Sequence, residues 1–262
     1  MGQIETLFFA YVQMRGMPVV RTGELCEPLH LSAIQERKVL SRMAKEGLIV
    51  RVWRGVYLVP PRLPLGGKWS PDEVLALNTL MDDCGGRYQI CGPNAFNRYG
   101  FDEQIPNRVY VYNNRLSGER VVGAVVLTLI RVADKRLGVT EKVRSAEGLT
   151  AVYASRVRTL VDAVYDWSRF NSLPRAYDWI RGELAANRVG VSELVAVALR
   201  YGDMGTIRRV GALLEYEGVD DALMGKLERA LKPTTSQIPW IPTKPKRGKI
   251  NRRWGVVLNE QA

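Results

Sequence analysis

The stretch "SAIQERKVLSRMAKEGLIVRVWRGVYLV", which begins at Ser32, constrains the fold more than any other part of this sequence. Ser32 and Gln35 have the spacing of a capping box, and Gly47 stands where a left-handed residue ends a helix. We therefore predict a helix from Ser32 to Glu46. Two short apolar runs follow it, separated by "WRG", and they predict a β-hairpin over residues 48–59.

The predicted helix has an apolar side and a basic side when its residues are placed 100° apart. The apolar side consists of Ala33, Val39, Leu40, Met43 and Ala44. The opposite arc consists of Ile34, Gln35, Arg37, Lys38, Ser41, Arg42 and Lys45. Charged outer faces are ordinary, so a solvated amphipathic helix packed on an unrelated hairpin is the alternative to a binding surface.

Two further helices are predicted ahead of the basic helix. The first covers Ile4–Arg15, a break follows at Gly16–Pro18, and a short helix covers Thr22–Pro28 with Thr22 as its N-cap. Helix, helix, turn, basic helix and hairpin is the order of a winged helix-turn-helix. In that fold the second helix of the pair enters the major groove of DNA, and the hairpin, or wing, flanks it.

Eight side chains of this region are therefore predicted to bind DNA: Gln35, Arg37, Lys38, Ser41, Arg42, Lys45, Arg51 and Arg54. Arg and Lys are able to read guanine and Gln to read adenine, so the first three are candidates for base contacts. Lys45, Arg51 and Arg54 are better placed for phosphates. Trp53, beside the turn of the hairpin, lies either against a sugar-phosphate surface or against the following domain.

The net charge of +11 is concentrated at the two ends of the chain. Residues 1–62 carry 9 basic and 5 acidic side chains, and residues 233–262 carry 6 and 1, whereas the sequence between them is nearly neutral. An excess at the ends favours localised contact with an anionic partner.

The segment "PRLPLGGKWS", residues 61–70, has the Pro and Gly content of a linker. We therefore predict an α+β protein with a winged helix-turn-helix at residues 1–62 and a larger mixed α/β domain at residues 63–262 that is mainly helical in its C-terminal half. Within the larger domain, residues 63–154 are strand-rich, 155–232 are helical, and 233–262 form a basic, Pro-rich tail with a last strand at Trp254–Leu258.

Catalytic chemistry finds little support in the sequence. His30 is the single histidine, which excludes paired-His metal sites. Asp162 and Asp166 are one helical turn apart, but Arg158 is one turn from Asp162, so an ion pair is favoured over a metal site. No catalytic residue, metal or cofactor is predicted. The start of the chain lacks the pattern of a signal peptide and no long apolar run occurs, so we expect a cytoplasmic protein without a membrane partner.

Several segments in order resemble the AbiEi family, the antitoxins of abortive-infection (type IV) toxin-antitoxin pairs. They are "GLIVRVWRGVYLVP", "YQICGPNAFNRYGF", "NRVYVYNN", "RVRTLVDAV", "GTIRRVGALLEYEG" and "NRRWGVVLN". The resemblance implies a winged helix that binds inverted repeats in the promoter of its own operon and represses it. It further implies a larger domain that neutralises a nucleotidyltransferase-like toxin. Phage defence would be the setting for both activities.

Two other function classes stay open. One is a stand-alone winged-helix transcriptional regulator whose C-terminal domain senses a ligand or dimerises, and the other is an enzyme tethered to DNA. The tail also has two interpretations. It is either a solvated linker closing on a final strand, or a surface that contacts DNA or the toxin through Lys244, Lys246, Arg247 and Lys249.

Overall fold

A computed structural model of the chain describes residues 2–63 and 68–260. These residues form ten α-helices, one 3-10 helix and twelve β-strands, so the chain is a mixed α and β protein as predicted. The chain divides into two compact units. The first comprises Met1–Tyr88, Asn107–Leu137 and Lys142–Ala151, and the second comprises Gln89–Pro106, Gly138–Glu141 and Val152–Ala262.

The N-terminal part of the first unit contains two helices and one small sheet. Its elements in chain order are α1 (Gln3–Met14), β1 (Val19–Arg21), α2 (Ala33–Glu46), β2 (Val50–Trp53) and β3 (Val56–Leu58). The strands are antiparallel in the order β1-β3-β2. Helix α1, helix α2 and the hairpin confirm three of the predicted elements, and their order is consistent with a winged helix.

A single hydrophobic core holds these elements together. It is built from Phe8, Phe9, Val12, Val20, Leu25, Val39, Leu40, Met43, Ile49, Tyr57 and Val59. Every N-terminal element except the outer strand β2 contributes to this core, and each fully buried large apolar side chain contributes roughly 1.5–3 kcal/mol.

The predicted helix over Thr22–Pro28 is wrong, because residues 22–30 form turns. The Leu29 N–H bonds to the Leu25 carbonyl as in a helix, but the Leu31 N–H bonds to the Cys26 carbonyl and the chain turns away. Thr22 is not a cap, since its hydroxyl donates to the Gly55 carbonyl. Strand β1, which was not predicted, occupies the preceding residues and pairs Val19 with Leu58 of β3.

The rest of the first unit contains α3 (Glu73–Asp83), β4 (Tyr88–Ile90, which continues into the second unit), β5 (Val109–Asn113), β6 (Gly118–Val122), β7 (Val125–Arg131) and a 3-10 helix (Asp134–Arg136). Strand β7 pairs in parallel with β5 and antiparallel with β6. The sequence Ser70-Pro71-Asp72 predicts a helix that starts at Ser70 and runs to about Asp83, and the start is wrong. Asp72 caps the helix through the N–H groups of Val74 and Leu75, and the Ser70 hydroxyl instead accepts the N–H of Ala124.

The second unit is mainly helical, as predicted for the C-terminal half. Its helices are α4 (Pro93–Arg98), α5 (Arg156–Tyr165), α6 (Trp167–Phe170), α7 (Arg175–Ala185), α8 (Val191–Tyr201), α9 (Met204–Tyr216) and α10 (Asp221–Arg229). Strands β8 (Thr140–Arg144) and β9 (Thr150–Ala154) are divided between the two units. The tail forms a sheet of β10 (Ile238–Pro239), β11 (Lys249–Asn251) and β12 (Val256–Leu258) in the order β10-β12-β11.

The tail is only partly exposed. Trp240, Trp254, Val256 and Val257 are buried, whereas Lys244, Lys246, Arg247 and Lys249 are exposed, so both interpretations of these cations stay predictions. The predicted last strand is confirmed, although it begins at Val256.

The ion pair expected on α5 is present. Arg158 Nε lies 2.9 Å from Asp162 Oδ2, and both side chains are buried. Among the described residues, no group of three His, Cys, Asp or Glu side chains could hold a metal ion. No helix in the described part of the chain is long and apolar enough to cross a membrane.

The predicted boundary between residues 1–62 and 63–262 stays a prediction. Residues 64–67 of the predicted linker lie outside the described residues. The compact units divide the chain differently, since residues 68–88 and 107–137 belong to the same unit as the N-terminal elements.

Candidate nucleic-acid interface

Both ends of α2 are fixed by the residues that predicted them. The Ser32 hydroxyl accepts the Gln35 N–H, and the Gln35 side-chain oxygen accepts the Ser32 N–H at 2.9 Å, which completes the capping box. Gly47 ends the helix with a left-handed backbone at φ 78°. The oxygen of Gln35 is therefore engaged, and a bidentate contact to adenine would require the capping box to open.

The remaining cations of α2 lie on its solvent side. Arg37, Lys38 and Lys45 are exposed, and so is Ser41 between them. Val39, Leu40 and Met43 are buried on the opposite side as predicted. Ala33 was expected on the buried side and is exposed, because it occupies the first turn of the helix beyond the core.

Glu36 fixes the chain that leads into α2, a role that sequence reasoning missed. Its side chain is fully buried. Its two carboxylate oxygens accept the N–H groups of Gly23 at 2.6 Å and Leu25 at 2.9 Å. A carboxylate that accepts backbone N–H groups forms charge-assisted hydrogen bonds, which are stronger than neutral ones. Glu36 thus attaches the turns of residues 22–30, where a helix was expected, to α2.

Arg42 links α2 to α1. Its guanidinium lies 2.7 Å from Glu5 Oε1, and the Glu5 carboxylate is almost completely buried. The N–H of Gly2, together with the Arg42 guanidinium, lowers the pKa of Glu5 despite its burial. Arg42 was predicted to bind DNA. In this structure its guanidinium pairs with Glu5, and this ion pair helps to hold α2 against α1.

The turn of the hairpin presents a second group of cations. Arg54 is exposed at the tip, and Arg51 is exposed on β2 with its Nε donating to the Trp53 carbonyl at 3.1 Å. Of the two interpretations of Trp53, packing within the protein is the one observed. The guanidinium of Arg120 on β6 lies over the indole ring, 4.0 Å from its centroid.

Arg120 therefore braces the hairpin, and no local pattern in the sequence could have identified it. A cation over an indole face is worth roughly 0.5–2 kcal/mol, depending on how far water is excluded. The contact joins positions far apart along the chain, and only the folded arrangement of β2 and β6 brings them together.

The four predicted tail residues belong to the second unit. Lys244, Lys246, Arg247 and Lys249 are all exposed. The ammonium group of Lys244 donates to the Glu260 carbonyl at 2.6 Å, which leaves its charge accessible because a carbonyl does not neutralise it.

A capped helix with an exposed cationic side, followed by a braced hairpin with cations at its tip, defines a module suited to a polyanionic partner. Residues 10–60, which contain most of this module, match a family described as "Transcriptional regulator, AbiEi antitoxin". The resemblance inferred from the sequence is confirmed over this segment.

A solved structure extends the comparison to the whole chain. The crystal structure of RV2827C protein from Mycobacterium tuberculosis aligns with 98% of this chain and 91% of its own chain, with a TM-score of 0.56. At 14% sequence identity, the likeness concerns the fold alone. No curated protein matches the chain.

Proposed function

We propose that this protein is an antitoxin that represses its own operon by binding inverted repeats in the promoter. The observation that carries the proposal is the exposed cationic side of α2, held by its capping box and by Glu36 within the segment that matches AbiEi transcriptional regulators. In this proposal α2 enters the major groove, where Arg37 and Lys38 read base edges. Ser41 and Lys45 lie farther along the same side of the helix.

The hairpin supplies the contacts that do not depend on sequence. Arg51 and Arg54 meet the phosphate backbone beside the groove, and Arg120 keeps the hairpin in place by stacking on Trp53. Phosphate contacts release counterions, so this part of the affinity falls as salt is added.

The second activity in the proposal is neutralisation of a nucleotidyltransferase-like toxin in abortive infection and phage defence, within the cytoplasm. Its support is the antitoxin description of the matching family. No residue of this chain is assigned to the toxin, so direct contact between the two proteins is left to the experiment.

One experiment with two readouts tests the proposal. The full chain is mixed with a duplex from its own promoter and with a scrambled duplex of equal length, and binding is followed by fluorescence anisotropy over a salt series. The adjacent reading frame is then expressed with and without this protein. Preferential promoter binding and rescue of growth are expected. Equal binding to both duplexes would exclude the repressor function. Growth arrest by the adjacent gene product, although this protein is present and folded, would exclude the antitoxin function.

An apolar pocket in the first unit supports the alternative of a ligand-sensing regulator. It has a volume of about 320 Å³, and Val12, Met17, Val59, Trp69 and Leu75 are among its lining residues. Pockets of this size and character accept small apolar ligands. A regulator of this kind would have no toxin gene beside it, and its DNA affinity would change when the pocket is filled.

A further inference from the structure

A basic pocket lies in the second unit, where the tail packs against α9 and α10. Its volume is about 280 Å³, and its charged lining consists of Arg208, Lys232, Arg252, Arg253 and Glu228. Four cations therefore face one carboxylate around a space large enough for a tetrahedral oxyanion.

Arg208 is the buried cation of this pocket. Its side chain is 5% exposed, and its Nε donates to the Trp254 carbonyl at 2.6 Å. Its Nη2 donates to the carbonyls of Ser236 and Gly255. These bonds attach the tail to α9, but carbonyl oxygens carry only partial charges and leave the guanidinium charge uncompensated.

No described carboxylate forms an ion pair with Arg208, and its Nη1 makes no hydrogen bond to a described residue. Burial, together with the neighbouring Arg209, lowers the pKa of Arg208. An anion bound beside Arg208 would oppose this lowering of its pKa, because an opposite charge favours the ionised form.

Two of the other lining charges are already paired. Arg253 and Glu228 form an ion pair at 3.1 Å, and Arg253 also contacts Glu215 and Asp221, so Arg253 adds no free positive charge to the pocket. Lys232 and Arg252 are exposed and have no ion-pair partner among the described residues. The buried Nε1–H of Trp254, another lining residue, is an unsatisfied donor within the described part of the chain.

We propose that this pocket binds a phosphate group, held by Arg208 at its base and by Lys232 and Arg252 at its mouth. The donors match the chemistry of a phosphate, since its oxygens accept several charge-assisted hydrogen bonds at once. The group has two sources, a free phosphorylated molecule or the phosphodiester backbone of a nucleic acid. Only the second source would depend on DNA binding by the chain.

Titration calorimetry of the full chain with inorganic phosphate, at constant ionic strength maintained with chloride, tests the site. The parent should show saturable binding at one site. The double variant Lys232→Gln with Arg252→Gln should bind at least about tenfold more weakly, because two charge-assisted contacts are lost. Both residues are exposed, so thermal unfolding should show an intact fold.

The matched control is Lys226→Gln with Arg229→Gln, which removes the same charge from exposed positions on α10 outside the pocket lining. Its phosphate affinity should stay within about twofold of the parent, because neither side chain lines the pocket and salt screens exposed charges. Absence of saturable binding in the parent, or equal losses in the two double variants, would overturn the proposal.

A second arm identifies the source of the phosphate. Anisotropy with a DNA duplex is repeated with saturating inorganic phosphate at the same ionic strength. Displacement of DNA, together with weaker DNA binding by the pocket variant than by the control, assigns the pocket to the DNA backbone. Unchanged DNA binding by a protein that binds phosphate assigns it to a free phosphorylated molecule.

Discussion

At the scale of single residues, the clearest division is between side chains that are free to contact a partner and side chains that hold the module together. Arg37 and Lys38 form no ion pair with another described residue. Arg42, in contrast, is paired with Glu5, and the Glu36 carboxylate accepts two backbone N–H groups and the Cys26 thiol. The sequence pattern placed Arg37, Lys38 and Arg42 in one group because it reports direction around a helix and not what each side chain contacts.

Arg37→Ala and Lys38→Ala should each lose discrimination between operator and random DNA. A bidentate contact to a base is typically worth about 1–3 kcal/mol, so the preference should fall by that amount. Arg54→Ala should instead weaken binding to both duplexes and reduce the salt dependence. Lys135→Ala, exposed on the 3-10 helix, is the control. Unchanged affinities in all three folded variants would remove the proposed groove contact.

Glu5→Gln should reduce stability in a manner that depends on pH. The Gly2 N–H, and then Arg42, lower the pKa of Glu5 below its ordinary value of 4.5. The ionised carboxylate therefore stabilises the folded state above the unfolded pKa, and this contribution is lost as the pH falls through the folded pKa. Urea unfolding of parent and variant should differ most near neutral pH and converge in acid. Gln3→Ala, on the exposed side of α1, is the control, because it removes no titrating group. A loss of unfolding free energy in Glu5→Gln that stays constant with pH would contradict this explanation.

At the scale of helices and strands, local patterns predicted α1, α2 and the hairpin, but they predicted a helix that does not form over residues 22–28 and missed strand β1. The ends of α2 follow from Ser32, Gln35 and Gly47, which act on their own backbone. Residues 22–28 have the composition of a short helix, yet they form turns, and the Glu36 carboxylate accepts the N–H groups of Gly23 and Leu25 within them. Strand β1 forms because β3 is available to pair with it. The bracing contact between Trp53 and Arg120 depends on the fold in the same way.

Gly47→Ala should destabilise the protein more than Gly16→Ala. Both positions have a left-handed backbone, at φ 78° and φ 60°, so both substitutions carry a strain of about 1 kcal/mol. An added methyl group at position 47 would lie 2.8 Å from Cγ of Lys68, whereas nothing lies within 4 Å of one at position 16. The difference between their unfolding free energies measures the contact. Lys68→Ala in the Gly47→Ala background should recover part of it, and equal losses in the two single variants would show that strain alone matters.

At the scale of the whole molecule, the predicted division into DNA-binding and antitoxin parts can be tested by truncation. A fragment that begins at Lys68 should protect cells from the toxin and fail to repress. The fragment should also be less stable than the full chain, because it loses the hydrogen bond from the Trp69 N–H to the Gly47 carbonyl and the stacking of Arg120 on Trp53. Its melting temperature should therefore be lower than that of the full chain. A fragment that is folded by circular dichroism but gives no protection would show that the two activities are not separable at this boundary.

The excess positive charge of the tail also bears on how the whole molecule binds an anionic partner. Residues 233–262 carry 6 cations and 1 carboxylate. Lys249 on β11 is exposed, and so are Lys244, Lys246 and Arg247 in the segment between β10 and β11. Arg253 is excluded from this group because it is paired with three carboxylates. An excess of this kind contributes a salt-dependent term to binding of an anionic partner.

Replacement of Lys244, Lys246, Arg247 and Lys249 by Gln should therefore lower operator affinity and make its salt dependence shallower, while protection against the toxin is retained. We favour DNA over the toxin because these cations add to those of α2 and the hairpin. Anisotropy at low and at physiological salt measures the first effect, and growth under toxin expression measures the second. A variant in which four exposed cations outside the tail are replaced by Gln controls for the loss of net charge: Lys135, Lys142, Lys226 and Arg229. Loss of protection with unchanged repression would assign the surface to the toxin, and a variant equal to the parent in both assays would show that these cations serve only solvation.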